Sequence, residues 1–581
     1  MLETPTATRR RSAAAGTPAV PPTNSRLRHS HTQGGLLLIA SAGLAALAML
    51  GPNAAHATDG TWQGPGTDWT TGTNWSSNPT VPDNIATFTN NGAPTSVTFA
   101  AGSSTAINTI LFTAGAPAYS FTLPPSGNFS ITGAGIVNMS SNAPSFSLPV
   151  LSNLIFMNSS TAGNAIITNS GTNAVTTFLN SSTAGSATIT NSGNGFASFN
   201  DTSTAGNATI TNNINGFVGF LGSSTAGNAN ITNNFRGFAT FSNTSTAGNA
   251  TLTSNFGGAT QFSNSSTAGN AVLIANNGGT TQFFDSSTAG NATVTTNGGG
   301  TTQFTNLSTA GNATVVTNVG GTTQFSQFST GGNAAFTTQG GGVFDMSGLI
   351  AAGMTAGSIE GQGTYFLGSK ALTVGGNNLS TTVSGTISDG GASGGTGGSL
   401  VKVGTGTLTL AGTNTYTGST AVNAGTLLLT GDISSSSGVI VNSGTMLAGT
   451  GTAPGILVNG GTLMPGLPNA VGTLNVRGNL VFTSAATYLI NINALSASLT
   501  SVTGIAALGG ATVQVVDDKD IVKRKVYTLL TASGGVNGTF NPDVIGVKGG
   551  SCSMTPTMST CATTASSATS SCCNSRRTLR Y

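Results

Sequence analysis

Ser245-Thr246-Ala247-Gly248-Asn249-Ala250 is one of nine near-copies of a single phrase, and the spacing of those copies decides the fold. The central glycines are Gly163, Gly185, Gly206, Gly227, Gly248, Gly269, Gly290, Gly311 and Gly332. The first interval is 22 residues and the next seven are 21 each. A fixed period of this length is the signature of a stacked solenoid, in which each repeat contacts only its neighbours.

The apolar residues repeat with the glycines. Four positions after each glycine stand Ile167, Ile189, Ile210, Ile231, Leu252, Leu273, Val294, Val315 and Phe336. Fourteen positions on, allowing for the longer first unit, stand Phe178, Phe199, Phe220, Phe241, Phe262, Phe283, Phe304 and Phe325. Alanine holds position two throughout, so positions two and four share one strand face and positions one and three the other. The columns extend one degenerate unit upstream, where Phe146 and Phe156 fall four and fourteen residues after Asn142. One unit buries too little apolar surface to fold alone, but coils stacked at about 4.8 Å set Ile over Ile and Phe over Phe.

Asparagine holds position one in eight of the nine units, with Ser186 the exception. Such a column can form a ladder of side-chain amides or a repetitive ligand-binding face. Asn also tolerates the left-handed geometry of tight corners, which favours the structural role.

Charged residues make up 5% of the chain, so its polar surface must come from Thr, Ser and Asn. Residues 1–57 read as a signal peptide with an extended basic region. Arg9, Arg10, Arg11, Arg26 and Arg28 precede an apolar run from Leu36 to Leu50, and Ala55-His56-Ala57 fits a cleavage site. The length of the basic stretch leaves a start codon further downstream as the alternative. Cleavage removes five of 17 basic and one of 14 acidic residues, leaving 12 against 13 and a net charge of −1. Nucleic-acid binding thereby loses its electrostatic footing. Cleavage also removes all three histidines, His29, His31 and His56, and with them any Ser-His or Cys-His nucleophile or histidine metal site. The four cysteines, Cys552, Cys561, Cys572 and Cys573, sit in the last thirty residues, so no disulfide framework supports the body.

Residues 58–141 contain the three tryptophans, Trp62, Trp69 and Trp75, followed by alternating runs such as Ser96 to Phe99 and Thr109 to Phe112. The cluster reads as a plug for the open end of a β structure, with sugar stacking as the alternative. The array occupies 142–352. Residues 353–399 lose the period and become Gly-rich, as looser coils or a linker.

From Leu400 the chain reads Leu400-Val401-Lys402-Val403-Gly404-Thr405-Gly406-Thr407-Leu408-Thr409-Leu410, then Gly412-Thr413-Asn414-Thr415-Tyr416-Thr417-Gly418 and Ala424-Gly425-Thr426-Leu427-Leu428-Leu429. This stretch closely resembles the autotransporter-associated β-strand repeat of passengers in type V secretion. Gly460 to Gly466, Gly472 to Val476, Tyr527 to Thr531 and Gly534 to Phe540 resemble the family's late coils, and the opening around Asn74-Trp75 resembles the start of such passengers. The resemblance implies domains at 400–466 (strand repeat) and 467–550 (late passenger coils), and a right-handed coil. It also implies an outer-membrane barrel, which the 31 residues after Gly550 do not encode. Residues 551–581 read as a disordered Ser/Thr/Cys-rich tail, and the abrupt change at Gly550 suggests truncation or a frameshift.

Candidate chemistry is sparse. Between residues 58 and 400 the charged side chains are Asp59, Asp68, Asp83, Asp201, Arg236, Asp285, Asp345, Glu360, Lys370 and Asp389. Asp201 and Asp285 lie sixteen residues after Gly185 and Gly269, four coils or roughly 19 Å apart, too far for a glycosidase pair. The Gly-rich segments lack a phosphate loop's lysine and helix, Gly340 to Asp345 does not match a calcium nonapeptide, and pairing Ser with Lys370 or Lys402 carries no information. Asp517 to Asp520 with Lys523 to Lys525 reads as a solvated turn.

The expectation is an all-β parallel β-helix with 21-residue repeats, acting as a non-enzymatic surface stalk or adhesin. No catalytic, cofactor-binding or metal site is expected, nor any small-molecule cofactor. Surface glycans or proteins of a host or biofilm are the expected partners. The resemblance implies a cell-surface or outer-membrane location, or a periplasmic one without a barrel. The alternatives are an exported β-helical enzyme acting on polysaccharide and a nonfunctional truncated passenger.

Overall fold

The computed structural model describes residues 57–516 and 526–546, with two further strands at Ser553–Met558 and Ser575–Arg580. The leader, the charged segment 517–525 and all four cysteines lie outside the described residues. Apart from a 3-10 turn at Gly72–Asn74, the described elements are all strands. Their architecture is a parallel β-solenoid.

One coil shows how the sequence builds the rest. Thr251–Asn255 alternates so that Leu252 and Ser254 point inward and Thr251, Thr253 and Asn255 outward. Phe256 and Gly257 then turn the chain with φ of 50° and 79°. Ala259–Phe262 buries Thr260 and Phe262, and Asn264, at φ 55°, makes the next corner. A third side follows that the two-column pattern does not disclose: Thr246 and Thr267 form a parallel bridge one residue long. This coil is thus three-sided, with one five-residue and one four-residue strand and a single-residue threonine edge.

The repeated phrase supplies that third edge. The buried Ser245 leads in, and Thr246 bridges Thr225 and Thr267 while its Oγ1 accepts the N–H of Gly248 at 3.0 Å. Ala247 fills the interior. Gly248 adopts φ 64°, and a Cβ there would lie 2.9 Å from the carbonyl oxygen of Gly227. Glycine is required on both counts, because a side chain would be strained in the left-handed region and would strike the coil below.

Pairing between coils is in register. Leu252 pairs with Ile231 on one side and with Leu273 on the other, and Phe262 lies between Phe241 and Phe283. The rings from Phe156 to Phe325 stack with centroids 4.5–4.9 Å apart and planes within 2–12° of parallel. Phe146 partners Ile167 and Phe156 partners Phe178, so the columns do begin in the degenerate unit.

A 16-stranded sheet runs from Gly60–Thr61 to Thr386–Ser388, and a 13-stranded sheet from Ser96–Thr98 to Ser358–Glu360. New sheets then take over: nine strands starting at Gly353–Ala356 and seven starting at Thr381–Val383. The change of frame falls in the Gly-rich stretch where the period lapses. Beyond it the coils are uneven, with Leu447 pairing Leu463 and Leu463 pairing Tyr488, steps of 16 and 25 residues. A six-stranded sheet includes Val526–Ala532, which pairs antiparallel with Ser575–Arg580.

Candidate functional site

Asp201 and Asp285 both sit in the corner column, at φ 56° and 53°, where other coils carry Asn243 and Asn264. Asp201 Oδ2 accepts the N–H of Asn180 at 2.8 Å, and Asp285 Oδ2 accepts that of Asn264 at 2.9 Å. Four ring spacings of 4.6–4.8 Å separate their coils. They serve as turn-forming groups and are not brought together.

The outward columns are hydrogen-bonded to themselves. Asn228, Asn249, Asn270, Asn291 and Asn312 each donate to the asparagine one coil earlier at 3.1–3.4 Å. A second amide ladder runs through Asn213, Asn234, Asn255, Asn276, Asn297 and Asn318 at 2.6–3.2 Å. A glutamine column, Gln261 to Gln282 to Gln303 to Gln324, is spaced at 2.8, 2.9 and 3.4 Å. Beside these polar columns one corner is apolar. Ile214, Phe235 and Phe256, one coil apart, are 63, 56 and 55% exposed, and the two phenyl rings stack at 5.4 Å.

Trp62, Trp69 and Trp75 offer no surface for stacking. All three are buried; Trp75 packs edge-on against Trp62 and Trp69 at 4.9 and 4.7 Å, and its Nε1 donates to the Trp69 carbonyl at 2.8 Å. Phe88 of the first coils packs beneath them. The cluster is therefore part of the core.

A different feature appears where the regular frame ends. In the strand Val343–Leu349, Asp345 is the register partner of Gln324, so the glutamine column terminates in a carboxylate. The pairing slips by one residue just beyond, between Gln324 and Ser326, the kind of bulge that re-aims side chains. Asp345 is only 5% exposed. Its Oδ1 accepts the N–H of Ser347 and its Oδ2 that of Ala392, both at 2.8 Å. Ser347 Oγ accepts the N–H of Ser393 at 3.0 Å, which ties the loop at 389–398 over this point. At Gly391, φ 98°, a Cβ would stand 2.6 Å from Asp345 Oδ1, so only glycine lets the loop approach. Asp389 anchors the far end, accepting the N–H groups of Gly397 and Gly398 at 3.1 and 2.9 Å. Between loop and coils lies a partly enclosed recess of about 160 Å³, lined among others by Gln303, Thr305, Gln324, Asp345, Ser347 and Ser393.

In the sequence Asp345 is one of ten charged residues between 58 and 400. Yet Asp345 lies thirteen residues after Gly332, as Gln324 lies thirteen after Gly311, and this was the available signal. The loop was not foreseeable, because it returns from 46 and 47 residues downstream.

Among the described residues no group of three His, Cys, Asp or Glu side chains is placed to hold a metal ion. Lys402 is not paired with a serine; its Nζ is buried and donates to the carbonyls of Val403, Gly404 and Ala424 at 2.6, 2.9 and 3.1 Å. Burial pulls its pKa below the ordinary value, while the three acceptors favour the proton. Nearby, the buried Tyr416 hydroxyl meets Thr420 Oγ1 at 2.6 Å, and Asn414 Oδ1 accepts the N–H of Ile387 at 2.9 Å. Thr407–Leu410 stacks on Thr426–Leu429, with Leu408 over Leu427. The lysine and asparagine of this segment thus fasten one coil to the next, while the tyrosine ties a turn within its own coil.

Residues 400–429 match the family model of the passenger-associated-transport-repeat. With the parallel solenoid on both sides of it, this repeat fits an autotransporter passenger with β-strand repeats, a class of exported protein. No curated protein matches the chain. Among the described residues no helix is long and apolar enough to cross a membrane.

Proposed function

We propose that the chain is a non-enzymatic surface passenger that acts as a stalk or adhesive rod. The observation that carries this reading is the set of side-chain columns, in which outward amides from Asn207 to Asn312 bond to their equivalents one coil away. Surface groups satisfied in this way suit a stiff support whose contacts are spread along its length. The apolar corner at Ile214, Phe235 and Phe256 offers such a contact, since contiguous exposed apolar groups mark interaction surfaces. Host or biofilm glycans and proteins are the partners this surface suits.

The test is adhesion of cells with and without the chain, combined with surface-accessibility labelling of the native product. Labelling at the surface together with chain-dependent adhesion is expected. A product that no surface reagent reaches would sink the reading. The polysaccharide-acting alternative draws on the buried carboxylate of Asp345, but glycoside hydrolysis uses two carboxyl groups roughly 5–10 Å apart. A glycan-degradation screen decides between them: turnover abolished by Asp345→Asn would establish the enzyme.

A further inference from the structure

From the recess at the end of the glutamine column we infer a binding site for one neutral sugar ring, held by a pair of adjacent hydroxyls on Asp345. The assignment deepens the adhesive reading and rests on it only for biological purpose, because the chemistry is local.

The size of the recess comes first. A space of about 160 Å³ is far larger than the roughly 10–15 Å³ that one water needs, and suits a ring with about a dozen non-hydrogen atoms. A single ion would rattle in it. Calcium would also want about six to eight oxygen ligands, and Asp345 is the one carboxylate lining the recess. Phosphates and other anions are disfavoured by that same charge, and an apolar ligand by the amide and hydroxyl rim.

Hydrogen-bond capacity then selects the ligand. An ionised carboxylate has about four acceptor sites. Two are used, one on each oxygen, by the N–H groups of Ser347 and Ala392. Each oxygen therefore has one site left, and adjacent ring hydroxyls present two donors at matching separation. These are charge-assisted bonds, the stronger kind. Ser347 Oγ accepts from Ser393 N–H, so its own hydrogen remains to donate to a ring oxygen or hydroxyl. The amides of Gln303 and Gln324 continue the Asp345 column along the recess, with both donor and acceptor atoms. Asp345 is held rigidly by two backbone N–H groups before any ligand arrives, which lowers the ordering cost of binding.

The test is saturation-transfer NMR on the full chain with free glucose, galactose, mannose and N-acetylglucosamine in separate titrations. Calorimetry with calcium chloride and with methylamine forms the cation arm. At least one sugar should saturate with a Kd on the order of 1 mM. Asp345→Asn should weaken it at least about tenfold. Ser393→Trp, which fills the recess from the exposed loop, should abolish it without moving the thermal midpoint; this variant keeps the test valid if Asp345→Asn misfolds. The assignment is overturned if no sugar receives transfer, if transfer survives both variants, or if only calcium or methylamine binds. Because the readout is free sugar on isolated protein, cells that fail to adhere would remove the adhesive reading and leave this site standing.

Discussion

The side-chain amide of Asn212 donates to that of Asn233 at 2.7 Å, in a core where both residues are fully buried. The column begins at Asn169 and Asn191, again with 2.7 Å contacts, and continues as Ser254, Ala275, Thr296 and Thr317. Its lower end is closed by Thr176 Oγ1, which donates to Asn169 Oδ1, and its upper end by the carbonyl of Ala259, which accepts from Asn233. A buried polar column is tolerable because each amide finds its partner in the next coil.

Replacing Asn212 with alanine should therefore strand two groups, Asn191 Nδ2 and Asn233 Oδ1, at a cost of about 2–4 kcal/mol. Asn249→Ala, in the exposed ladder, should change stability by less than about 0.5 kcal/mol. Urea unfolding of the two variants checks both numbers, and equal effects would refute the distinction between inner and outer columns.

Phe241→Ala opens a hole between rings at 4.6 and 4.7 Å and should destabilise its neighbourhood by about 3–5 kcal/mol. Hydrogen exchange should show lost protection in the adjacent coils first. Phe235→Ala, at the exposed corner, should leave protection unchanged.

Gly248→Ala must accept both a left-handed backbone and a contact 2.9 Å from the Gly227 carbonyl oxygen, whereas Gly257→Ala meets nothing within 4 Å. The first should cost clearly more than the roughly 1–2 kcal/mol of left-handed strain, and the second no more than that. Thermal unfolding of the pair separates steric from conformational cost.

Alkaline pH should unfold the C-terminal coils. Burial raises the phenols of Tyr365, Tyr416 and Tyr488 above their ordinary value of 10.0. A raised folded pKa gives stability that is complete below the unfolded value and is lost as pH climbs from about 10 toward the folded one. Lys402 acts in the opposite sense: with its folded pKa lowered from 10.5, the unfolded chain holds more protons just below that value, and stability rises there. Tyrosinate absorbance should appear together with loss of the strand signal in circular dichroism, and Tyr416→Phe should move the onset to higher pH.

Much of this fold was legible because it is repetitive. Ile189 and Phe199 announced two sides of the coil, since each position is sampled nine or so times. The threonine edge at Thr246 recurs with the phrase, but one residue is too short to show the alternation that marks a strand. Asn212 has the same parity as the inward Ala208 and Ile210, but its polarity suggests an outward side chain. Only stacking, which supplies the partner amide, resolves that conflict. Asp345 was visible as a charge and not as a site, because the loop that completes the recess is a long-range contact without sequence periodicity.

The in-register columns have one further consequence, for how such a molecule changes over generations. Excising residues 228–248 would join Gly227 directly to Asn249, and the inward columns would still stack, with Phe220 against Phe262, Ile210 against Leu252 and Thr225 against Thr267. Duplicating the same block would do likewise. Reach is therefore a quantised, heritable variable here, adjustable by one coil at a time, while the Asp345 recess and the fastened coils at 400–429 are carried nearer or farther without being rebuilt.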